Sequence, residues 1–109
     1  MPSPLLQPIT ATATLAAGVA TDIDLNLNGS TNGTIVLRNT GGNAVTALTV
    51  AVSPLGTLFE AAASITTGIP LAGGTSLAAI VGSSEPARTV RLTATSTVGT
   101  TVSVEALGL

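Results

Sequence analysis

The side chains that could carry out chemistry in this chain are carboxylates and guanidinium groups. The carboxylates are Asp22, Asp24, Glu60, Glu85 and Glu105, and the basic residues are Arg38, Arg88 and Arg91. The sequence contains no His, Cys, Lys, Tyr or Trp, so it lacks the residues for catalytic triads, Schiff bases, imidazole bases and thiolate nucleophiles. A carboxylate pair of the glycosidase type is the catalytic route that remains. Such a site normally also needs a cleft lined with aromatic or polar groups, and Phe59 is the single aromatic residue. We therefore expect a protein that is not an enzyme and has no cofactor.

A possible metal site lies in residues 24–32. This run has oxygen-bearing side chains at every second position and Gly29 at the sixth, as in a calcium-binding loop. The twelfth position is Ile35, where such a loop requires a bidentate Glu. Residues 22–27 alternate strictly between polar and apolar side chains, which is typical of a half-buried strand with its acids on the wet face. The strand interpretation is favoured, and no metal is expected.

The basic residues are too few to form a patch that neutralises phosphates. There are three of them and the net charge is −2, so nucleic acid is not an expected partner. All three arginines fall on outward positions of the predicted strands. The simpler interpretation is solvated or cross-strand paired charge. The alternative is that these few charges fix the register of an interface.

The chain is unusually apolar for its charge content. Hydrophobic residues make up 45% of the sequence and charged residues 7%, and the mean hydropathy is +0.65. The long uncharged run over residues 40–59 is interrupted by Gly, Thr, Ser and Pro, so it does not predict a membrane-spanning helix. We expect instead that copies of the chain or a partner protein cover much of its surface.

The chain divides into an arm and one domain. Residues 1–8 contain three prolines and predict an extended arm, and residues 9–109 predict a single domain. Short runs of Val, Ile, Leu and Thr alternate with turn clusters every 8 to 12 residues, as in a sandwich or barrel. Strands are predicted over residues 10–16, 21–27, 33–39, 45–52, 57–65, 75–81, 88–96 and 100–106, with a single helical turn as an alternative near residues 57–63.

The turns between these strands are predicted from Gly, Pro, Asn and Ser. They lie at residues 28–30, 41–43, 53–56, 72–74 and 83–86. Asn28-Gly29-Ser30 and Asn32-Gly33-Thr34 also match the glycosylation sequon. Because the N-terminal residues lack a positively charged region and a continuous apolar core, we expect no signal peptide and interpret both sequons as turns.

The last two predicted strands suggest a hairpin. With Gly99 in a left-handed conformation in a three-residue loop, Val90, Leu92 and Ala94 would face Ala106, Val104 and Val102. This register also places Arg91 opposite Glu105 as an outward ion pair.

The segments GTIVLRNTGGNAVTALTVAV, LAGGTSLAAIV and ARTVRLTATSTVGTTVSVEA together resemble the strand sequences of bacterial and phage immunoglobulin-like modules. The resemblance covers residues 33–106 and implies an all-β, immunoglobulin-like antiparallel β-sandwich of about seven or eight short strands. With its short length, its proline-rich arm and its lack of Lys and Cys, the chain also resembles the small decoration, or cement, proteins of tailed-phage capsids.

The resemblance implies a structural virion protein that binds the outer capsid surface and stabilises the shell. Its expected partners are the major capsid protein and itself, as a homotrimer, with no nucleic acid and no membrane. The expected location is the virion surface after synthesis in the host cytoplasm. The expected interface residues are Pro2, Pro4, Leu5, Leu6, Pro8, Arg38, Arg88 and Arg91. The alternatives are a cell-surface or carbohydrate-binding module of a fibre or adhesin, or a neck or tail component.

Overall fold

The described part of the chain contains β-strands and no helix. The computed structural model describes residues 9–53, 58–60 and 63–108. Its strands are β1 (Ile9–Leu15), β2 (Thr21–Asn39), β3 (Ala47–Ser53), β4 (Ala63–Ser64), β5 (Ser76–Thr95) and β6 (Thr100–Gly108). They form one hydrogen-bonded sheet in the order β1-β6-β2-β5-β3-β4. No helix in the described residues is long and apolar enough to cross a membrane.

Two long strands turn this single sheet into two layers. β2 has 19 residues and β5 has 20. The second half of β2 pairs with β6 and with the first half of β5, and β1 completes this first layer. The first half of β2 pairs with the second half of β5, which also pairs with β3, and β4 completes the second layer. All pairings between these six strands are antiparallel, so the predicted antiparallel β-sandwich is confirmed, with β2 and β5 each contributing a segment to both layers.

The two layers enclose one core of small aliphatic side chains. Alternate residues of β5 point inward over residues 90–94, where Val90, Leu92 and Ala94 lie in the core at 0 to 1% exposure. The buried cluster consists of Leu15, Ile23, Leu25, Ile35, Leu37, Val45, Leu48, Val50, Val52, Leu71, Val90, Leu92, Ala94, Val102, Val104 and Ala106. Phe59, the single aromatic residue of the sequence, does not belong to this cluster.

Two predicted turns lie inside the long strands. Residues 28–30 belong to β2 and residues 83–86 belong to β5. The β2–β5 register shifts between Asn26 and Ser30 and again between Ser30 and Asn32. Turn-forming residues therefore mark the place where both strands pass from one layer to the other, because a bulge lets a strand bend without ending. The predicted turns at residues 41–43 and 72–74 are confirmed as connections.

The predicted hairpin between the last two strands is wrong. Val90 pairs with Leu25 and Val52, whereas Ala106 pairs with Ile9 and Ile35. Residues 96–99 therefore cross from one layer to the other instead of joining two neighbouring strands. The inward positions and the positive φ of 100° at Gly99 are as predicted.

The segment between β3 and β5 also differs from its prediction. A strand was expected over residues 57–65, with a helical turn as the alternative. The described part contains only the two-residue β4, and residues 58–60 form neither a strand nor a helix.

Asn39 connects several segments where β2 ends. Its side chain is fully buried, and its Nδ2 donates to the carbonyl oxygens of Asn43 at 2.6 Å and Leu71 at 2.9 Å. Its Oδ1 accepts from the Gly41 amide at 3.2 Å and the Thr100 hydroxyl at 2.8 Å. The amide thus uses its full hydrogen-bonding capacity to hold two connections and the start of β6.

We predict that Asn39→Ala lowers the free energy of unfolding by about 2–4 kcal/mol, because it leaves buried polar partners unsatisfied. Asn43→Ala is the matched control. The exposed Asn43 side chain donates one bond, of 2.8 Å, to the Gly99 carbonyl, and its loss should cost less than about 1.5 kcal/mol. Equilibrium denaturation in urea measures both values. Equal losses for the two variants would contradict the role assigned to Asn39.

Candidate binding surfaces

A polar cluster lies on the outer face of the second layer. The strand register places Asp24, Arg91 and Ala51 in one row across β2, β5 and β3, and Asp22 and Thr93 in the adjacent row. All of these residues point away from the core, because their neighbours along each strand are buried. Sheet pairing thus brings together side chains that are about 70 residues apart in sequence.

Arg91 is the centre of this cluster. Its Nε donates to Asp24 Oδ1 at 2.7 Å and its Nη2 to Asp24 Oδ2 at 3.0 Å, which is a bidentate pair. A second carboxylate, that of Asp22, lies 3.7 Å from the same Nε and accepts a 2.7 Å bond from the Thr93 hydroxyl. Side-chain exposures are 34% for Arg91, 44% for Asp24 and 53% for Asp22, so the cluster is open to solvent.

Phe59 covers Arg91 from the outside. The guanidinium carbon lies 4.0 Å from the ring centroid, which is a cation–π contact. The adjacent Glu60 amide donates to the Val52 carbonyl at 2.8 Å, fixing the segment beside β3. Ala51 points outward by register but is only 9% exposed, consistent with coverage of this face.

The electrostatics of the cluster favour a fixed ion pair. The hydrogen bond to Asp24 raises the pKa of Arg91 above its ordinary value, against partial desolvation, and the charges of Asp24 and Asp22 act in the same direction. Arg91 therefore stays protonated at neutral pH. The carboxylates face a permanent cation on an open sheet, an arrangement that suits hydrogen bonding to a ligand better than proton transfer.

The structure places Arg38 and Arg91, two of the three predicted arginines, on different layers. Arg38 is exposed on the outer face of the first layer, where it pairs in register with Ser76 and Ser103. Arg91 lies on the outer face of the second layer. The Arg88 side chain and the arm residues Pro2, Pro4, Leu5, Leu6 and Pro8 lie outside the described part of the molecule.

The carboxylates are also divided between the layers. Glu105 is exposed on β6 opposite Thr10 and Val36, so the predicted pairing of Arg91 with Glu105 is wrong. The strand interpretation of residues 22–27 is confirmed by β2. Within the described ranges, no group of three His, Cys, Asp or Glu residues has the geometry to hold a metal ion.

A second surface, which we call the loop end, forms where four connections meet at one end of the sandwich. These connections are residues 16–20, 40–46, 65–75 and 96–99, and they contain no charged residue. Val19 and Val98 are 52% and 68% exposed there. A shallow groove of about 250 Å³ lies beside the loop end, lined by Thr46, Ala47, Leu48, Thr49, Ser64, Ile65, Thr66 and Ile69.

Hydrogen bonds between the connections hold the loop end in place, and their acceptors are backbone carbonyl groups of these same connections. The Gly18 amide donates to the Ser96 carbonyl at 2.8 Å, and the buried Ser96 hydroxyl donates to the Ala44 carbonyl at 2.7 Å. With the Asn43–Gly99 bond, these contacts join three of the four connections. The exposed apolar side chains therefore sit on a fixed support.

Sequence reasoning placed Asp22, Asp24 and Arg91 on outer faces but missed that they form one cluster with Phe59. The strict alternation of residues 22–27 was the available signal for the acids. Nothing in the sequence pattern indicated that Phe59 would fold back over Arg91, because that contact joins a connection to a distant strand.

The chain matches no protein-family model and no curated protein. Among solved structures it is similar to a histidine mutant of the lectin-binding domain of Lectinolysin, complexed with Lewis b. The TM-score is 0.59 at 15% identity, covering 95% of this chain and 92% of that one. It is also similar to the Yersinia pseudotuberculosis-derived mitogen, with a TM-score of 0.56 at 16% identity, covering 96% and 88%.

A third similar structure is chitosan-binding module 1 of a Paenibacillus sp. IK-5 chitosanase/glucanase. Its TM-score is 0.51 at 18% identity, covering 94% of this chain and 95% of that one. At these identities the likeness establishes a shared β-sandwich fold.

We predict that Arg91 and Asp24 are energetically coupled, because their side chains form a bidentate hydrogen-bonded pair. In a double-mutant cycle, Arg91→Ala and Asp24→Ala should be non-additive in thermal unfolding, because each removes the same bidentate contact. Arg91→Ala and Glu105→Ala should be additive, because these residues lie on different layers. Coupling to Glu105 in place of Asp24 would contradict the observed register.

Proposed function

We propose that this chain is a non-catalytic structural protein that binds the outer surface of a viral capsid and stabilises the shell. The observation that carries the proposal is the loop end, an uncharged surface with Val19 and Val98 exposed. A free domain with such a surface would tend to associate, because exposed apolar area is removed from water in a complex. The capsid as the particular partner follows from the resemblance to decoration proteins.

The mechanism is passive. Burial of apolar surface contributes roughly 25 cal/mol per Å² of contact area. The hydrogen bonds of Asn39, Asn43 and Ser96 fix the loop end before binding, which reduces the entropy lost on association. A protein that bridges capsid subunits needs affinity and rigidity, and no chemical step is required.

A second candidate function is carbohydrate binding. Two of the similar folds are the Lectinolysin domain complexed with Lewis b and a chitosan-binding module. The specific observation in its favour is the Arg91 cluster, where exposed carboxylates lie beside an aromatic ring. Such groups can accept hydrogen bonds from sugar hydroxyls while the ring packs against the sugar face.

Co-sedimentation with capsids stripped of the protein tests the leading proposal. Val98→Asp should weaken binding at least about tenfold, because it places a charge in a desolvated contact. Leu58→Asp is the matched control, since Leu58 is 82% exposed but lies outside the loop end. Equal binding by both variants would contradict a loop-end interface. Binding to a glycan array that is lost in Asp24→Ala, without capsid binding, would favour the second candidate.

The arm gives an independent prediction. Deletion of residues 1–8 should leave the domain folded, because the described core begins after this segment. It should weaken assembly, because a proline-rich extended arm has few contacts to make within its own chain and can reach a neighbour. Size exclusion and co-sedimentation measure the effect. An unchanged elution volume and unchanged capsid binding would refute the prediction.

A further inference from the structure

In the part of the chain that the structure describes, no strand pairs with the outer edge of β1. Among the described residues β1 pairs only with β6, and the sheet order ends there. The opposite end of the sheet is β4, which has two residues, whereas β1 has seven. A very short edge strand offers little backbone for pairing, but a seven-residue strand presents a full row of amide and carbonyl groups.

β1 lacks the features that usually protect such an edge. Its sequence, ITATATL, has no charged residue and no proline. Its register with β6 runs from Ile9 to Leu15 without a shift, so no bulge bends it away. The outward residues Thr10, Thr12 and Thr14 are exposed, and the inward residues Ile9, Ala11 and Ala13 are only partly buried. The core is therefore incompletely covered along this edge.

The strand is complementary to itself in an antiparallel arrangement. Residues directly opposite each other in such a pair lie on the same face. If Thr12 of one copy faces Thr12 of another, Thr10 meets Thr14, Ala11 meets Ala13 and Ile9 meets Leu15. All seven residues are then paired, threonine with threonine and apolar with apolar. A shift of one residue would set every inward side chain against an outward one.

We infer that β1 forms an antiparallel pair with β1 of a second copy, so that two sandwiches join into a two-fold symmetric dimer with Thr12 at the axis. The pairing completes the backbone hydrogen bonds of the edge and brings the partly buried Ile9, Ala11 and Ala13 of both copies together. The chain's own arm is a poor alternative, because Pro2, Pro4 and Pro8 have no amide hydrogen to donate to a ladder.

This arrangement leads to a dimer, in place of the trimer implied by the family resemblance. A two-fold axis through one edge closes the assembly, since each copy uses the same strand. Ile9 of one copy then lies beside Leu15 of the other, so each arm begins next to the neighbouring subunit. The inference depends on the strand edge alone and not on the proposed capsid function.

Cross-linking tests the register directly. The chain has no cysteine, so Thr12→Cys introduces a single thiol that should meet its own copy at a distance suitable for a disulfide. Under mild oxidation this variant should form a covalent dimer. Thr34→Cys is the matched control, because Thr34 is an exposed threonine in the part of β2 that is flanked by β5 on one side and β6 on the other. Similar cross-linking of both variants would show only random collision and would overturn the register.

Charge substitution tests the same contact without a covalent bond. Thr12→Lys should raise the dimer dissociation constant at least about tenfold, because like charges would face each other at the axis. Thr12→Glu should do the same, and an equimolar mixture of the two variants should restore the dimer. Recovery in the mixture also shows that both variants are folded. Thr34→Lys should leave the dissociation constant unchanged.

Analytical ultracentrifugation gives the decisive outcomes. A wild-type protein that remains monomeric at high micromolar concentration overturns the inference, as does a trimer or a dimer insensitive to both charges at position 12. Concentration-dependent protection of β1 amides from hydrogen exchange in the wild type supports it even if a variant misfolds. A dimer without capsid affinity would refute only the proposed function, and a capsid-binding monomer would refute only the dimer.

Discussion

The ladder between β2 and β5 is the constraint on which the rest of the sandwich depends. Each of these strands belongs to both layers, and every other strand attaches directly or through a neighbour to one of them. Because side chains alternate along a strand, one register fixes which residues face inward in both layers. The bulges near Ser30 let the two strands bend without losing their pairing, so a single aliphatic core forms between the layers.

The end of the sandwich opposite these bulges is fixed by buried polar contacts. Asn39 joins residues 40–46 and 65–75 to the start of β6, and the Ser96 hydroxyl joins residues 96–99 to residues 40–46. Glycines allow the connections to approach closely: a Cβ on Gly73 would lie 2.5 Å from the Gly41 carbonyl oxygen. The buried polar side chains of Asn39 and Ser96 at the loop end are therefore hydrogen-bonded, whereas its exposed surface carries no charge. This combination suits a surface that binds a partner without rearranging.

The molecule separates its charged and uncharged surfaces. The Arg91 cluster occupies the outer face of the second layer, and the loop end and the β1 edge carry no charge. Among the side chains that the structure describes, Asp22, Asp24, Arg38, Arg91 and Glu105 lie on the sheet faces, and Glu60 lies in the segment beside β3. Association through the uncharged regions removes apolar area from water without desolvating an ion pair. The capsid proposal and the inferred dimer each use one of these regions, and the carbohydrate proposal uses the charged face.

The sequence by itself determined the fold class and the inward or outward direction of most of the described strand residues. Alternation is a local property with a period of two, so Val90, Leu92 and Ala94 could be assigned to the core and Arg91 to an outer face. The positive φ of Gly99 was also predictable, because a tight turn after Val98 requires a residue that tolerates the left-handed conformation.

Only the tertiary structure decided which strands are neighbours. Adjacent strands most simply form a hairpin, but the chain at residues 96–99 changes layer, and Arg91 therefore meets Asp24 and Phe59 instead of Glu105. Pairing between distant strands depends on how whole apolar faces fit together, and no local pattern contains that information.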